Sequence, residues 1–284
     1  MTIQRTAVIG SGLMGAGIAE VLAKSGLDVI VREINDEASA AGKARIEKSL
    51  GRAVEKGKLD ADARDKALSN LRFTTDIADL ADRQLVIEAA SENEDIKKSI
   101  FAELDEVVTD PEAILASNTS SMPIIRFAQS TSRPERVLGI HFFNPAPVQP
   151  LVEIVSSVLT ADDVRDTVTG FVTDVLGKKP VQAEDRPGFI VNALLIPYLC
   201  SAIRMLESGF ATKEDIDTGM VNGCAHPMGP IKLADLVGLD TCLFAAQSMY
   251  EETGDLATKP PVLLSRMVDA GLLGVKSGRG FYEY

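Results

Sequence analysis

Thr6-Ala-Val-Ile-Gly10-Ser-Gly12-Leu-Met-Gly15 joins a short apolar run to a glycine turn, and Ala16, Ile18, Ala19, Leu22 and Ala23 follow at helical spacing. Strand, turn and helix in that order open a Rossmann-type βαβ unit. Gly10 permits the tight turn, Gly12 lets the backbone approach a pyrophosphate, and Gly15 removes a side chain where helix packs on strand. The helix start at Leu13 and Met14 offers N–H groups and the positive end of the helix dipole to the phosphates. Gly26 closes the helix, Val29-Ile-Val31 reads as the second strand, and Glu33 stands at its end. A carboxylate there accepts hydrogen bonds from the adenosine ribose and repels a 2′-phosphate, which favours NAD over NADP. Arg32 keeps NADP open, because a guanidinium pairs with phosphate.

Further strands read from Leu85-Val-Ile-Glu-Ala89, Ala113-Ile-Leu-Ala116, Val137-Leu-Gly-Ile140 and Val152-Glu-Ile-Val155, with helical or turn segments between them. This alternation predicts a doubly wound, mainly parallel α/β sheet whose ligands collect beyond the carboxyl ends of the strands. Three polar groups fall at those ends, Ser91-Glu-Asn93, Ser117-Asn-Thr-Ser-Ser121 and His141-Phe-Phe-Asn144, and are expected to line one cleft. From Phe189 to Tyr250 the pattern is almost wholly helical, broken at Pro227 to Pro230. The expected organisation is therefore a Rossmann domain over 1–184 and an all-helical domain over 185–284.

The composition sets limits. At 284 residues, 45% hydrophobic and 25% charged, the chain is an ordinary folded protein of one large and one smaller domain. A net charge of -12 argues against a nucleic-acid partner, since phosphate backbones are met by clustered positive charge. No stretch reads as a secretory signal or a membrane span. Cys200, Cys224 and Cys242 lack metal-ligand spacing, so no metal site is expected and a reducing cytoplasm fits best. One segment departs from the acidic average: Lys43, Arg45, Lys48, Arg52, Lys56 and Lys58 outnumber Glu47 and Glu55. Lys48, Arg52 and Lys56 form a like-charge stripe at helical spacing, which an anion would relieve.

Several motifs in one order then identify a family. The fingerprint from Gly10 to Ala19, Ser117-Asn-Thr-Ser-Ser121, His141-Phe-Phe-Asn-Pro145, Pro187-Gly-Phe-Ile-Val-Asn192, His226-Pro-Met-Gly-Pro230 and Gly278-Arg-Gly-Phe-Tyr282 resemble the 3-hydroxyacyl-CoA dehydrogenases from end to end. At this length the chain is similar to the stand-alone bacterial members. The resemblance implies reversible, NAD-dependent oxidation of a short (S)-3-hydroxyacyl-CoA such as 3-hydroxybutyryl-CoA, in fatty acid or butanoate metabolism.

His141, one of two histidines, ends an apolar strand and is expected to exchange the substrate's 3-hydroxyl proton. Glu153, an acid between Val152 and Ile154, needs a partner if buried, and the resemblance makes it the residue that holds His141. By the same resemblance Ser120 and Asn192 bind substrate oxygens across the two domains. Glu92, Lys97, Ser120, Asn144 and Lys276 join the fingerprint as cofactor contacts, and Ser49, Lys56 and Lys97 contact CoA. His226 reads as structural. A homodimer through the C-terminal domain is implied as well. Two other readings stay open on the residues. One is a related NAD(P)-dependent dehydrogenase of a free hydroxy acid or sugar acid. The other is a non-catalytic, crystallin-like dinucleotide-binding protein, which needs neither His141 nor Glu153.

Overall fold

The structure, a computed structural model, describes residues 2–284. They divide into two compact units, one holding the residues up to Thr119 together with Pro123–Asp185, the other Ser120–Met122 with Arg186–Tyr284. Asp185 thus lies on the first unit's side, and the three residues around Ser120 group with the helices.

The first unit is one eight-stranded sheet: β1 (Arg5–Ile9), β2 (Asp28–Arg32), β3 (Leu71–Thr74), β4 (Leu85–Glu88), β5 (Ile114–Ser117), β6 (Val137–Phe142), β7 (Leu151–Ser156) and β8 (Lys179–Glu184). The order is β3-β2-β1-β4-β5-β6-β7-β8, and every neighbouring pair is parallel except β6 with β7. The chain winds outward from β1 in both directions, so the switch point of the sheet lies between β1 and β4. Helices α1 (Leu13–Lys24), α2 (Asp36–Glu55), α3 (Ala61–Ser69), α4 (Glu94–Val107), α5 (Ile124–Ala128) and α6 (Asp162–Gly170) cover it. Sandwiched strands must be apolar on both faces, and β1, β4, β5 and β6 are buried along nearly their whole length. β3 and β8, missing from the expected set, are the two edges of the sheet, only half-buried, and β8 carries Pro180. Edge strands need no unbroken apolar run, which is the signal by which the inner strands were legible.

Between α1 and α2 lies a buried acid. Glu20 is 2% exposed, its Oε2 has no hydrogen-bond partner among the described residues, and Lys24 stands 3.9 Å from its Oε1. Burial pushes the Glu20 carboxyl above its ordinary value, partly offset by a hydrogen bond with Ser49 and the charge of Lys24. An acid whose folded pKa is raised favours the protonated fold. That contribution is full below the unfolded value near 4.5 and is lost as pH rises through the folded one. Glu20→Gln is therefore expected to raise Tm by a few degrees at pH 8, with the gain vanishing under acid conditions. Equal melting of variant and parent at pH 8 would refute this.

The second unit contains α7 (Val191–Glu207), α8 (Lys213–Cys224), α9 (Pro230–Val237), α10 (Leu239–Thr253) and α11 (Val262–Asp269) around Leu199, Ile203, Ile231, Leu239 and Leu264. Two buried carboxylates fasten its final segment. Asp235 on α9, 0% exposed, accepts hydrogen bonds from the N–H groups of Phe281 and Tyr282 at 2.9 Å and from the Tyr284 hydroxyl at 3.1 Å. Asp217 on α8 accepts from the N–H groups of Ile231 and Lys232 and from the Tyr282 hydroxyl. The Tyr282 ring lies under the ammonium groups of Lys213 and Lys232, at 4.6 and 5.3 Å from its centroid. Burial and the neighbouring carboxylates push the Tyr284 hydroxyl up to about 12.

Candidate active site

The turn after β1 is built for close approach. Gly10 has φ +87°, and a Cβ there would sit 2.8 Å from the Ala89 carbonyl oxygen; one on Gly15 would fall 1.9 Å from the Gly10 oxygen. Glycine is thus required at both positions. On Gly12 a Cβ would meet nothing within 4 Å, so that side of the turn is open. α1 begins there with no side-chain cap and no acid in its first turn, leaving its N–H groups and dipole uncompensated. A diphosphate suits that cradle. The Glu33 carboxylate accepts from the Ser11 N–H, from the Ser11 hydroxyl at 2.8 Å and from the Ile34 N–H at 3.1 Å. It thereby fixes the turn from the end of β2, where an adenosine ribose lies in such folds.

Farther along the same carboxyl edge, beyond β4 and β5, the antiparallel step aligns two side chains. In the register of β6 and β7, His141 stands directly opposite Glu153. Opposite residues on one face have neighbouring Cβ atoms. His141 Nδ1 lies 2.7 Å from Glu153 Oε2, with the two residues 6% and 0% exposed. Phe143 tilts against the imidazole, ring centroids 4.6 Å apart, and the Asn118 side chain accepts the Phe142 N–H at 2.9 Å. The loop beyond β6 is held by Lys178, whose buried ammonium donates to the Ala146 and Gln149 carbonyl oxygens at 2.8 and 2.7 Å. Burial lowers the pKa of that ammonium.

Between these sites a polar network fills the ends of β4 and β5. Glu88, 0% exposed, accepts on Oε1 from Lys97 and from the Ala90 N–H, both at 2.7 Å, and on Oε2 from the Ser117 hydroxyl at 2.6 Å. Lys97 reaches Glu92 Oε2 at 2.9 Å, and the Thr119 hydroxyl donates to Glu92 Oε1 at 2.6 Å. Glu88 was missed in the sequence. The signal was present, since Leu85-Val-Ile-Glu88 places an acid in an apolar strand just as Val152-Glu-Ile154 does. Lys97, expected to reach both cofactor and CoA, is 1% exposed and pairs with both carboxylates.

The remaining expected residues fall as follows. Leu13 and Met14 open α1, and Asn144 is exposed in the loop after β6. Ser49 is half-buried on α2 and hydrogen-bonded to Glu20, while Lys48, Arg52 and Lys56 are exposed along α2 and its C-cap. Ser120, Asn192 and Lys276 belong to the second unit, where Asn192 lies in the first turn of α7 and Lys276 pairs with Asp240 at 2.5 Å. His226 accepts or donates a 3.2 Å hydrogen bond with the Tyr198 hydroxyl. Among the described residues no cluster of His, Cys, Asp and Glu is arranged to hold a metal.

A dinucleotide cradle and a histidine–carboxylate pair on the same edge of one sheet define a nicotinamide-dependent dehydrogenase. Residues 5–186 match the 3-hydroxyacyl-CoA dehydrogenase NAD-binding domain, and residues 188–284 match the C-terminal domain of the same enzymes. The chain belongs to the 3-hydroxyacyl-CoA dehydrogenase family. It is 57% identical to a 3-hydroxybutyryl-CoA dehydrogenase of Mycobacterium tuberculosis over 99% of each chain, and 48% identical to a probable one of Deinococcus radiodurans over 98% and 99%. The crystal structure of M. tuberculosis FadB2 superposes with a TM-score of 0.98 at 57% identity, covering 100% of both chains. The protein is thus an NAD-dependent oxidoreductase, and the two non-family readings are not favoured.

Proposed function

We propose that the protein interconverts (S)-3-hydroxybutyryl-CoA and acetoacetyl-CoA, with His141 as the acid/base and Glu153 as its orienting partner. The 2.7 Å contact between those two side chains carries this reading. Bound NAD supplies the acceptor for the hydride leaving C3. With Nδ1 committed to Glu153, His141 takes the 3-hydroxyl proton at Nε2 and returns it in the reverse direction. Glu153 fixes the tautomer and stabilises the imidazolium formed as the proton arrives. Ser120 and Asn192 bind substrate oxygens, Glu92, Asn144 and Lys276 meet the cofactor, and Ser49 with Lys56 holds CoA.

The test is kcat/KM with 3-ketoacyl-CoA substrates of increasing chain length, using NADH and NADPH in parallel. Greatest efficiency with acetoacetyl-CoA and NADH is expected, and no turnover with any thioester would reject the proposal. The basic face of α2 adds a second arm. Reversing Arg52 and Lys56 to glutamate is expected to raise KM for acetoacetyl-CoA about tenfold, as charge-assisted contacts to CoA phosphates are lost. A CoA-free 3-keto thioester should show no such increase, and an unchanged KM for acetoacetyl-CoA would assign the stripe to solvation alone.

Two coarser features accompany this reading. No helix among the described residues is long and apolar enough to cross a membrane, and we place the protein in the cytoplasm, a location that fractionation checks. The helical unit leaves Leu194 and Leu236 73% and 55% exposed beside Tyr198 and His226. Apolar side chains so placed fit a homodimer, which light scattering reads directly.

A further inference from the structure

The polar network at the ends of β4 and β5 has a feature that hydrogen-bond counting alone does not explain. It gathers two carboxylates, Glu88 and Glu92, around the one ammonium of Lys97. Its formal charge is therefore -1. Buried charge is costly unless balanced, and serine and threonine hydroxyls, which Ser117 and Thr119 supply, stabilise a carboxylate without cancelling it.

The position of that charge follows from the strand order. The dinucleotide crosses the carboxyl edge of the sheet at the switch point, pyrophosphate at the turn after β1, adenosine on the β2 side where Glu33 stands. The nicotinamide half then lies on the β4 and β5 side. Backbone contact ties the network to the dinucleotide turn: Ala89 and Ala90, which follow Glu88, carry the atoms that a Cβ on Gly10 would strike, at 2.8 to 3.1 Å. The two redox states of the cofactor differ there by one unit of charge, since the oxidised ring is cationic and the reduced ring neutral. A fixed negative charge on that side of the sheet stabilises the cationic ring over the neutral one.

We propose that Glu88, acting with Glu92 around Lys97, sets the relative affinity of this site for the oxidised and reduced nicotinamide, favouring the cationic ring. The inference rests on the dehydrogenase reading above and adds a specificity-determining role to a residue that touches no substrate. Glu88 acts through the field it holds in place.

The experiment is calorimetric titration of the full chain with NAD+ and, separately, NADH, without substrate. Glu88→Gln is the first variant. Its carbonyl still accepts from Lys97 and the Ala90 N–H, and its amide donates to the Ser117 hydroxyl, so the hydrogen bonds persist while the network becomes neutral. Kd for NAD+ is expected to rise about fivefold, with Kd for NADH changing less than twofold. Glu92→Gln, at a 28% exposed side chain that folding tolerates, is expected to shift the ratio of the two constants in the same sense. A purely structural role would weaken both ligands equally, and that result, or an unchanged ratio in both variants, overturns the proposal. Wild-type protein that bound neither dinucleotide would overturn the dehydrogenase reading itself, so the two failures are told apart.

Discussion

Replacing His141 by glutamine is expected to lower kcat with acetoacetyl-CoA by about a thousandfold while the protein folds and binds NADH as before. The magnitude follows from the role. A positioned general acid/base contributes roughly 10²- to 10⁴-fold, which is the loss that the role proposed for His141 implies. Glutamine is close in size and still donates to the Glu153 carboxylate, so the pairing of β6 with β7 is retained. Steady-state assays with a melting curve and an NADH titration separate loss of chemistry from loss of fold. Turnover within tenfold of the parent would remove His141 from the proton-transfer step.

The second large effect is on stability. Asp235→Ala is expected to destabilise the protein by about 3–5 kcal/mol, because three donors lose their acceptor inside the helical unit. Two are main-chain N–H groups, of Phe281 and Tyr282, that have no water to turn to beside a residue 0% exposed. Against a usual total of about 5–15 kcal/mol this is a large fraction. Tm should fall by about 10 °C or more. Asp235→Asn is expected to cost less, since one oxygen remains, yet its amide would face either the N–H of Phe281 or the N–H of Tyr282 together with the Tyr284 hydroxyl. A denaturation midpoint unchanged in the alanine variant would show that the final segment does not depend on this carboxylate.

The sequence made some of this legible because particular residues have few alternatives. Gly10 and Gly15 stand where a Cβ cannot, and the inner strands β1, β4, β5 and β6 carry short apolar runs because they are buried along nearly their whole length. An acid inside Val152-Glu-Ile154 was readable as a residue that demands a partner, and the family resemblance supplied His141 as that partner. The same demand at Glu88 went unmet in the reading, since its partners are a lysine on α4 and a serine on β5 that no spacing rule connects. Lys178 and Asp235 were invisible for a related reason. Their partners are carbonyl oxygens and N–H groups, and every residue but proline offers both. The edges β3 and β8 escaped because half-buried strands carry mixed residues.

The antiparallel step from β6 to β7 has a consequence for redesign. His141 faces Glu153 because the ladder pairs them, so the connection over 143–150 is free of that task. Lengthening it leaves the pair intact as long as the ladder re-forms in register. One residue inserted within β7 ahead of Glu153 does the opposite, turning the carboxylate to the far face of the sheet. The histidine–carboxylate pair is in this sense a property of strand register, two facing positions on adjacent strands, and not of the loop that joins them.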